Sequence, residues 1–175
     1  MSIANEILMI FILILVNAVL AMSEAALVAS RKARLQQQAS EGNKSSALAI
    51  KLIEDPNIFL STVQIGITAI GVIAGAYSAT ALSDDLTPIV ASWHALLAPH
   101  AELIAFSVVI VFTTFLSLVL GELIPKRIAL AAPEPMAAAM APVMALIETA
   151  ASPLVWLLRF VTEGVIRLLG LHRTR

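Results

Sequence analysis

All eleven lysines and arginines of this chain fall in two windows, residues 31–51 and 126–175, and the segments before and between them are apolar. A water-soluble surface spreads its cations, so this distribution points to a membrane, and it sets an orientation as well. Positive charge is retained on the cytoplasmic side of short loops. Arg31, Lys32, Arg34, Lys44 and Lys51 therefore place the first loop inside, and Lys126 with Arg127 place the end of the third span inside, leaving the N-terminus and the 83–100 loop outside. With 59% hydrophobic and 13% charged residues and a mean hydropathy of +0.93, the composition exceeds what a soluble core needs. The 175 residues supply three or four spans, too few for the paired repeats of secondary transporters unless chains assemble, so at least a dimer is expected. A net charge of −1 speaks against nucleic acid, and the lack of cysteine removes disulfides, thiolate metal sites and thiol catalysis.

A bilayer core of ~30 Å takes about 20 helical residues, and segments of about 3–27, 57–82 and 103–123 supply them. The apolar run 7–22, with Ala18-Val19-Leu20-Ala21, has the length of a signal peptide but lacks a basic start and is followed by Arg31-Lys32, so it reads as an uncleaved helix. Residues 128–150 are apolar but broken by Pro133, Pro135 and Pro142, with Pro153 just beyond. They read as two short helices forming a re-entrant or interfacial hairpin. In 152–171, Arg159, Glu163 and Arg167 recur every four residues on one face, as in an amphipathic juxtamembrane helix. The expected fold is an all-α membrane protein: three transmembrane helices with the N-terminus out, short re-entrant or interfacial helices, and a juxtamembrane helix leading to a cytoplasmic C-terminus. Asn57 after Pro56 is expected to cap the second span, and the spacing of Gly71 and Gly75 suits close helix packing. His94 and His100 in the outer loop read as solvated, with pH sensing or a metal as the alternative.

Charges within spans cost at least ~2.5 kcal/mol near a helix centre, so each is a functional candidate. Glu24 lies seven residues before Arg31 and seven after Asn17, and Glu122 lies four before Lys126, which puts both carboxylates at similar depth near the cytoplasmic side. Ser61, Gln64 and Thr68 share one face of the second span, and Thr113, Thr114 and Ser117 extend a polar lining below Glu122. Pro125 removes the helical hydrogen bond to the Gly121 carbonyl and frees it beside Glu122. Three helices are thus expected to converge oxygens on one level, an environment suited to a hard cation such as Mg²⁺. The alternatives are that the carboxylates are solvated beside Arg31 or Lys126, worth ~0–1 kcal/mol, and that the hydroxyls bond neighbouring helices or their own backbone.

Met22-Ser23-Glu24, Ser30-Arg31-Lys32, Glu41-Gly42-Asn43, the run from Phe59 to Gly66, Glu122 to Ile128 and Ala132-Pro133-Glu134 together resemble the transmembrane domain of the HlyC/CorC family, relatives of the cyclin M proteins. The likeness covers nearly the whole chain. Ile124-Pro125-Lys126-Arg127 and Ser152-Pro153-Leu154-Val155-Trp156 are similar to the bacterial branch that includes a putrescine and cadaverine exporter. The resemblance implies a homodimer of three-span protomers in the inner membrane, exporting Mg²⁺, in some cases against Na⁺, with no organic cofactor. It implies cation-site positions at Ser23, in the Ser61 to Gly66 region and at Gly121 with Glu122; combined with the charges and faces read above, the expected metal set is Ser23, Glu24, Ser61, Gly121 and Glu122, with Asn17, Gln64, Gly66, Thr68, Ser117 and Pro125 along the path. Longer members continue into cytoplasmic CBS domains, which lie outside this sequence. Mg²⁺-transporting members commonly carry asparagine after the second-helix glycine, whereas Ile67 follows Gly66 here, which leaves room for a diamine. The rival from another class is a cation-sensing membrane subunit that transports nothing. No Ser/His/Asp set and no His-Glu-x-x-His motif argues for an enzyme.

Overall fold

The computed structural model describes residues 3–94 and 97–168, with the side chain of Arg167 left out. Among these residues the chain is all α-helical. α1 (Ile3–Ala29) matches the first expected span. Its buried face runs through Ile10, Ile14, Asn17, Leu20 and Ala21, while Ile7, Leu8, Phe11 and Leu15 point outward, as bilayer contact demands.

The basic window after α1 is helical. α2 (Lys32–Ser40) and α3 (Lys44–Glu54) form a hairpin that turns at Gly42, whose φ of 96° lies in the left-handed region that glycine enters without a Cβ penalty. Asn43 then caps α3, its Oδ1 accepting from the Ser45 and Ser46 amides at 3.0 and 3.1 Å. Leu35, Ala49 and Leu52 are buried and join Leu27, Phe59 and Met144 in the main core.

α4 (Pro56–Trp93) is 38 residues long, about 57 Å, and so outreaches a bilayer core. Its cap is Asp55, which accepts from the Ile58 amide, with Pro56 in the first turn; Asn57 stands inside the helix and is not the cap. The second span was expected to end near residue 82, yet the helix continues through Asp84, Asp85 and Pro88. Thr87 bonds back to the Ser83 carbonyl at 2.7 Å, and on either side of Pro88 the residues Leu86, Val90 and Ala91 pack on Ala101, Ile104 and Ala105. Packing on the neighbouring helix carries α4 past its proline, and much of the 83–100 segment, expected as a loop, is therefore a helical extension. His94 ends α4, and His100 lies in a short 3₁₀ turn (Ala98–His100).

α5 (Ala101–Leu118) passes through a π-helical segment, Val119–Leu123, into α6 (Ile124–Ala131). α7 (Pro133–Leu168) is one continuous helix of 36 residues, not two short helices followed by a separate one, and within 128–150 the break falls at Ala132, between α6 and α7. Pro142 and Pro153 lie inside it. The Thr149 carbonyl, which loses its helical donor to Pro153, accepts the Ser152 hydroxyl at 2.9 Å instead. A stripe of Ala137, Ala141 and Met144 buries against α1 and α3, which keeps the helix going through Pro142. His172 to Arg175, which bear on the orientation of the C-terminus, lie outside the described residues.

Four helical stretches, Ile3–Ala29, Pro56–Trp93, Ala98–Ala131 and Pro133–Ile166, are long and apolar enough to cross a membrane. Val111, Phe112 and Phe115 on α5 and Trp156, Phe160 and Val161 on α7 are exposed, the outward apolar surface of a membrane protein.

Candidate functional site

The polar centre forms where α1 meets the π-helical segment and α6. In that segment the Ile124 amide reaches back five residues to the Val119 carbonyl. Pro125, which is buried, has no amide hydrogen to give. The Gly121 carbonyl, four residues before it, accepts the side-chain amide of Asn17 from α1, Nδ2 to O at 3.1 Å. Freeing of this carbonyl was expected from Pro125; that Asn17 takes it required the fold.

Glycine at 121 permits the approach. A Cβ there would lie 3.1 Å from Asn17 Nδ2 and 3.4 Å from the Ile14 carbonyl oxygen. Gly121→Ala is expected to cost about 1 kcal/mol net, since overpacking of ~1–3 kcal/mol is partly offset by ~1 kcal/mol of helix propensity. Thermal unfolding in nanodiscs checks this, and a rise in midpoint would count against the tight contact.

Next to Gly121, Glu122 and α1's Glu24 close on one ammonium. Lys126 Nζ lies 2.9 Å from Glu122 Oε1 and 3.1 Å from Glu24 Oε2. The first pair is the i, i+4 spacing of one helix; the second joins two helices that are far apart in sequence. The three side chains keep 34%, 23% and 33% of their surface, for Glu122, Glu24 and Lys126 respectively, so a solute can reach them. Asn17 is 7% exposed, and its Oδ1 has no hydrogen-bond partner, an uncommon condition for a buried amide.

Other expected site residues are placed differently. Ser23 is fully buried and gives its hydroxyl to the Val19 carbonyl at 2.6 Å, one turn back in α1. Ser61, Gln64 and Thr68 do share a face, but it is exposed and lies roughly opposite the Phe59, Val63 and Ile70 face with which α4 packs in the core. Ser61 and Gln64 line a groove of about 480 Å³ against α7, together with Arg159, Thr162 and Glu163. The expected convergence of three helices on one level is therefore split, with carboxylates, Asn17 and Gly121 on one side of α4 and its polar stripe on the other. Gly66 is a packing position, where a Cβ would lie 2.8 Å from Leu20 Cδ1. A Cβ added at Gly71 or Gly75 would meet nothing within 4 Å among the described residues, so neither position is a close helix contact there. On α5, Thr113 is buried, Ser117 half-buried and Thr114 exposed.

Sequence reasoning missed the role of Lys126 as a bridge, although its spacing from Glu122 was visible. It also missed how the site is braced. Ser30 donates to the Pro133 carbonyl at 3.2 Å, and Glu134, almost buried, lies 3.9 Å from Arg34, so the end of α1 and the start of α2 are tied to the start of α7. Among the described residues, no three His, Asp or Glu side chains gather as a metal-holding group.

Residues 8–175 match the cyclin M transmembrane N-terminal domain. The chain belongs to this family. This cyclin M domain is 45% identical to a UPF0053 protein of Synechocystis, over 97% of this chain and 38% of that protein. It is 33% identical to the polyamine export protein of Haemophilus influenzae, over 100% of this chain and 40% of that protein. It is 31% identical to the polyamine export protein of Escherichia coli K12, over 98% and 38% of the two. The chain thus spans about two fifths of the length of these relatives.

Proposed function

We propose that this cyclin M domain is the membrane part of an exporter of small amine cations of the polyamine class, with Glu24 and Glu122 neutralising one ammonium of the solute. The observation that carries this reading is the closure of both carboxylates, from two helices, on a primary ammonium at 2.9 and 3.1 Å. An ammonium offers three N–H donors and needs no closed octahedral shell. The names of two relatives support the same substrate class, as does Ile67 following Gly66.

Mg²⁺, the expectation drawn from the wider family, demands near-octahedral oxygen ligands. Of the five positions that would supply them, Ser23 is engaged with Val19, Gly121 with Asn17, and Ser61 lies on the exposed face of α4. A Mg²⁺ seat would require these to rearrange.

In the proposed topology α1, α4 and the α5–α6 run span the membrane with the N-terminus outside. α7 serves as the juxtamembrane element, and two copies assemble in the inner membrane. The distribution of lysine and arginine supports this orientation, and the unpacked Gly71 and Gly75 edge of α4 is available to a second copy. Cytoplasmic domains such as those of longer family members are the proposed partners on the inner side.

The test is efflux from proteoliposomes loaded with both putrescine and Mg²⁺, comparing the chain with Glu122→Gln. Putrescine is expected to leave and Mg²⁺ to stay, with the variant at least about ten-fold slower, a transition-state loss of ~1.4 kcal/mol or more. Loss of Mg²⁺ alone would establish the metal exporter instead. Retention of both would favour a cation-sensing subunit.

A further inference from the structure

The ammonium held by Glu24 and Glu122 belongs to the protein itself. Lys126 stands one turn after Glu122 on α6, and its Nζ takes both carboxylates at hydrogen-bond distance. Two carboxylates side by side within a membrane segment repel each other and are poorly solvated, so a cation between them stabilises the ionised pair. Lysine suits such a place in a way arginine does not. Its head is a compact ammonium on a flexible alkyl stem, chemically the end of a simple primary amine, whereas guanidinium is a planar fork. Arg127, the next residue, is exposed and enters no ion pair with these carboxylates. The partial exposure of all three members leaves room for Lys126 to swing out while another amine enters.

We propose that the Glu24–Glu122 pair is a seat for primary alkylammonium groups and that Lys126 is its resident occupant, a tethered amine that an incoming amine displaces and that returns when the solute leaves. The seat is then never vacant. The identity of the natural incoming amine rests on the exporter reading above; the seat and its occupant do not. The geometry also sets selectivity. Oxygens at 2.9 and 3.1 Å from nitrogen take N–H donors, so a primary amine fits and a quaternary ammonium, which has none, does not.

Lys126→Ala deletes the equivalent of n-propylammonium from the seat. The full chain carrying this change, in nanodiscs, is expected to unfold at a lower temperature and to regain its midpoint in n-propylammonium chloride. Equal concentrations of tetramethylammonium chloride or sodium chloride should do little. Wild type, whose own amine competes, should need a concentration at least roughly ten-fold higher for the same shift. Equal effects of propylammonium and tetramethylammonium would overturn the proposal, as would rescue that persists when Glu24→Gln and Glu122→Gln are added. Should Lys126→Ala fail to fold, Lys126→Met keeps an apolar stem of similar length and removes the ammonium, and methylammonium takes the place of the probe with the same outcomes. Rescue without putrescine efflux would keep the seat and remove the polyamine reading. Efflux without rescue would keep the exporter and remove the tethered amine.

Discussion

Replacing both Glu24 and Glu122 by glutamine is expected to abolish putrescine efflux from proteoliposomes, by about 100-fold or more, and to lower the thermal midpoint of the chain. The ammonium of Lys126 would lose both counter-charges, 2.9 and 3.1 Å away, and face two amides inside a membrane segment. Breaking a fully buried ion pair by removing one partner costs ~3–5 kcal/mol. These side chains retain 23–34% of their surface, so solvent screening reduces the expected loss to about 1–2 kcal/mol. At ~2–4 °C per kcal/mol for a chain of this size, the midpoint falls by several degrees. A double variant that kept the wild-type midpoint would show that the triad is not paired in the bilayer. One that kept wild-type efflux would take the transport role away from both carboxylates.

Asn17→Leu carries the second large effect. Leucine keeps the branched outline of asparagine with bulkier methyl groups, and it leaves the Gly121 carbonyl without the donor that Pro125 already denies it within the helix. An unmet buried acceptor costs ~1–3 kcal/mol, and more is at stake where lipid replaces water. Removing the unpartnered Oδ1 of Asn17 returns part of that, so a net loss of about 1–2 kcal/mol is expected. Since Gly121 precedes Glu122, the π-helical turn should shift and displace the carboxylate, slowing efflux about ten-fold or more. Unfolding midpoints and efflux rates measured on one preparation check both parts. Unchanged values for both would mean that the π-helical turn holds itself without α1.

Several features of this arrangement are legible along a single helix. The first span, the i, i+4 relation of Glu122 and Lys126, the freed Gly121 carbonyl and the common face of Ser61, Gln64 and Thr68 all follow from a 3.6-residue repeat and the chemistry of proline. Helical periodicity says which residues share a face. It does not say which neighbour that face meets. Rotation of α4 about its axis, decided by Phe59, Val63 and Gly66 packing toward α1, turns the polar stripe toward α7 and away from the carboxylates.

The prolines mark the same boundary between local and tertiary information. Pro125 behaves as its chemistry predicts because a neighbour supplies the missing donor. Pro88, Pro142 and Pro153 do not end their helices, because Val90 packs on α5, Ala141 and Met144 pack in the main core, and the Ser152 hydroxyl bonds the Thr149 carbonyl. A proline removes about one hydrogen bond, and burial of a helix face outweighs that loss where there is something to bury against.

By itself, then, the sequence determined a helical membrane protein, its apolar spans and the residues able to carry charge within them, because hydropathy, charge placement and helical spacing are properties of the chain. Only the tertiary structure decided that Lys126 bridges Glu24 and Glu122, that Asn17 holds Gly121, and that α7 runs unbroken. Each of these depends on contacts between segments about 100 residues or more apart, which no local pattern encodes.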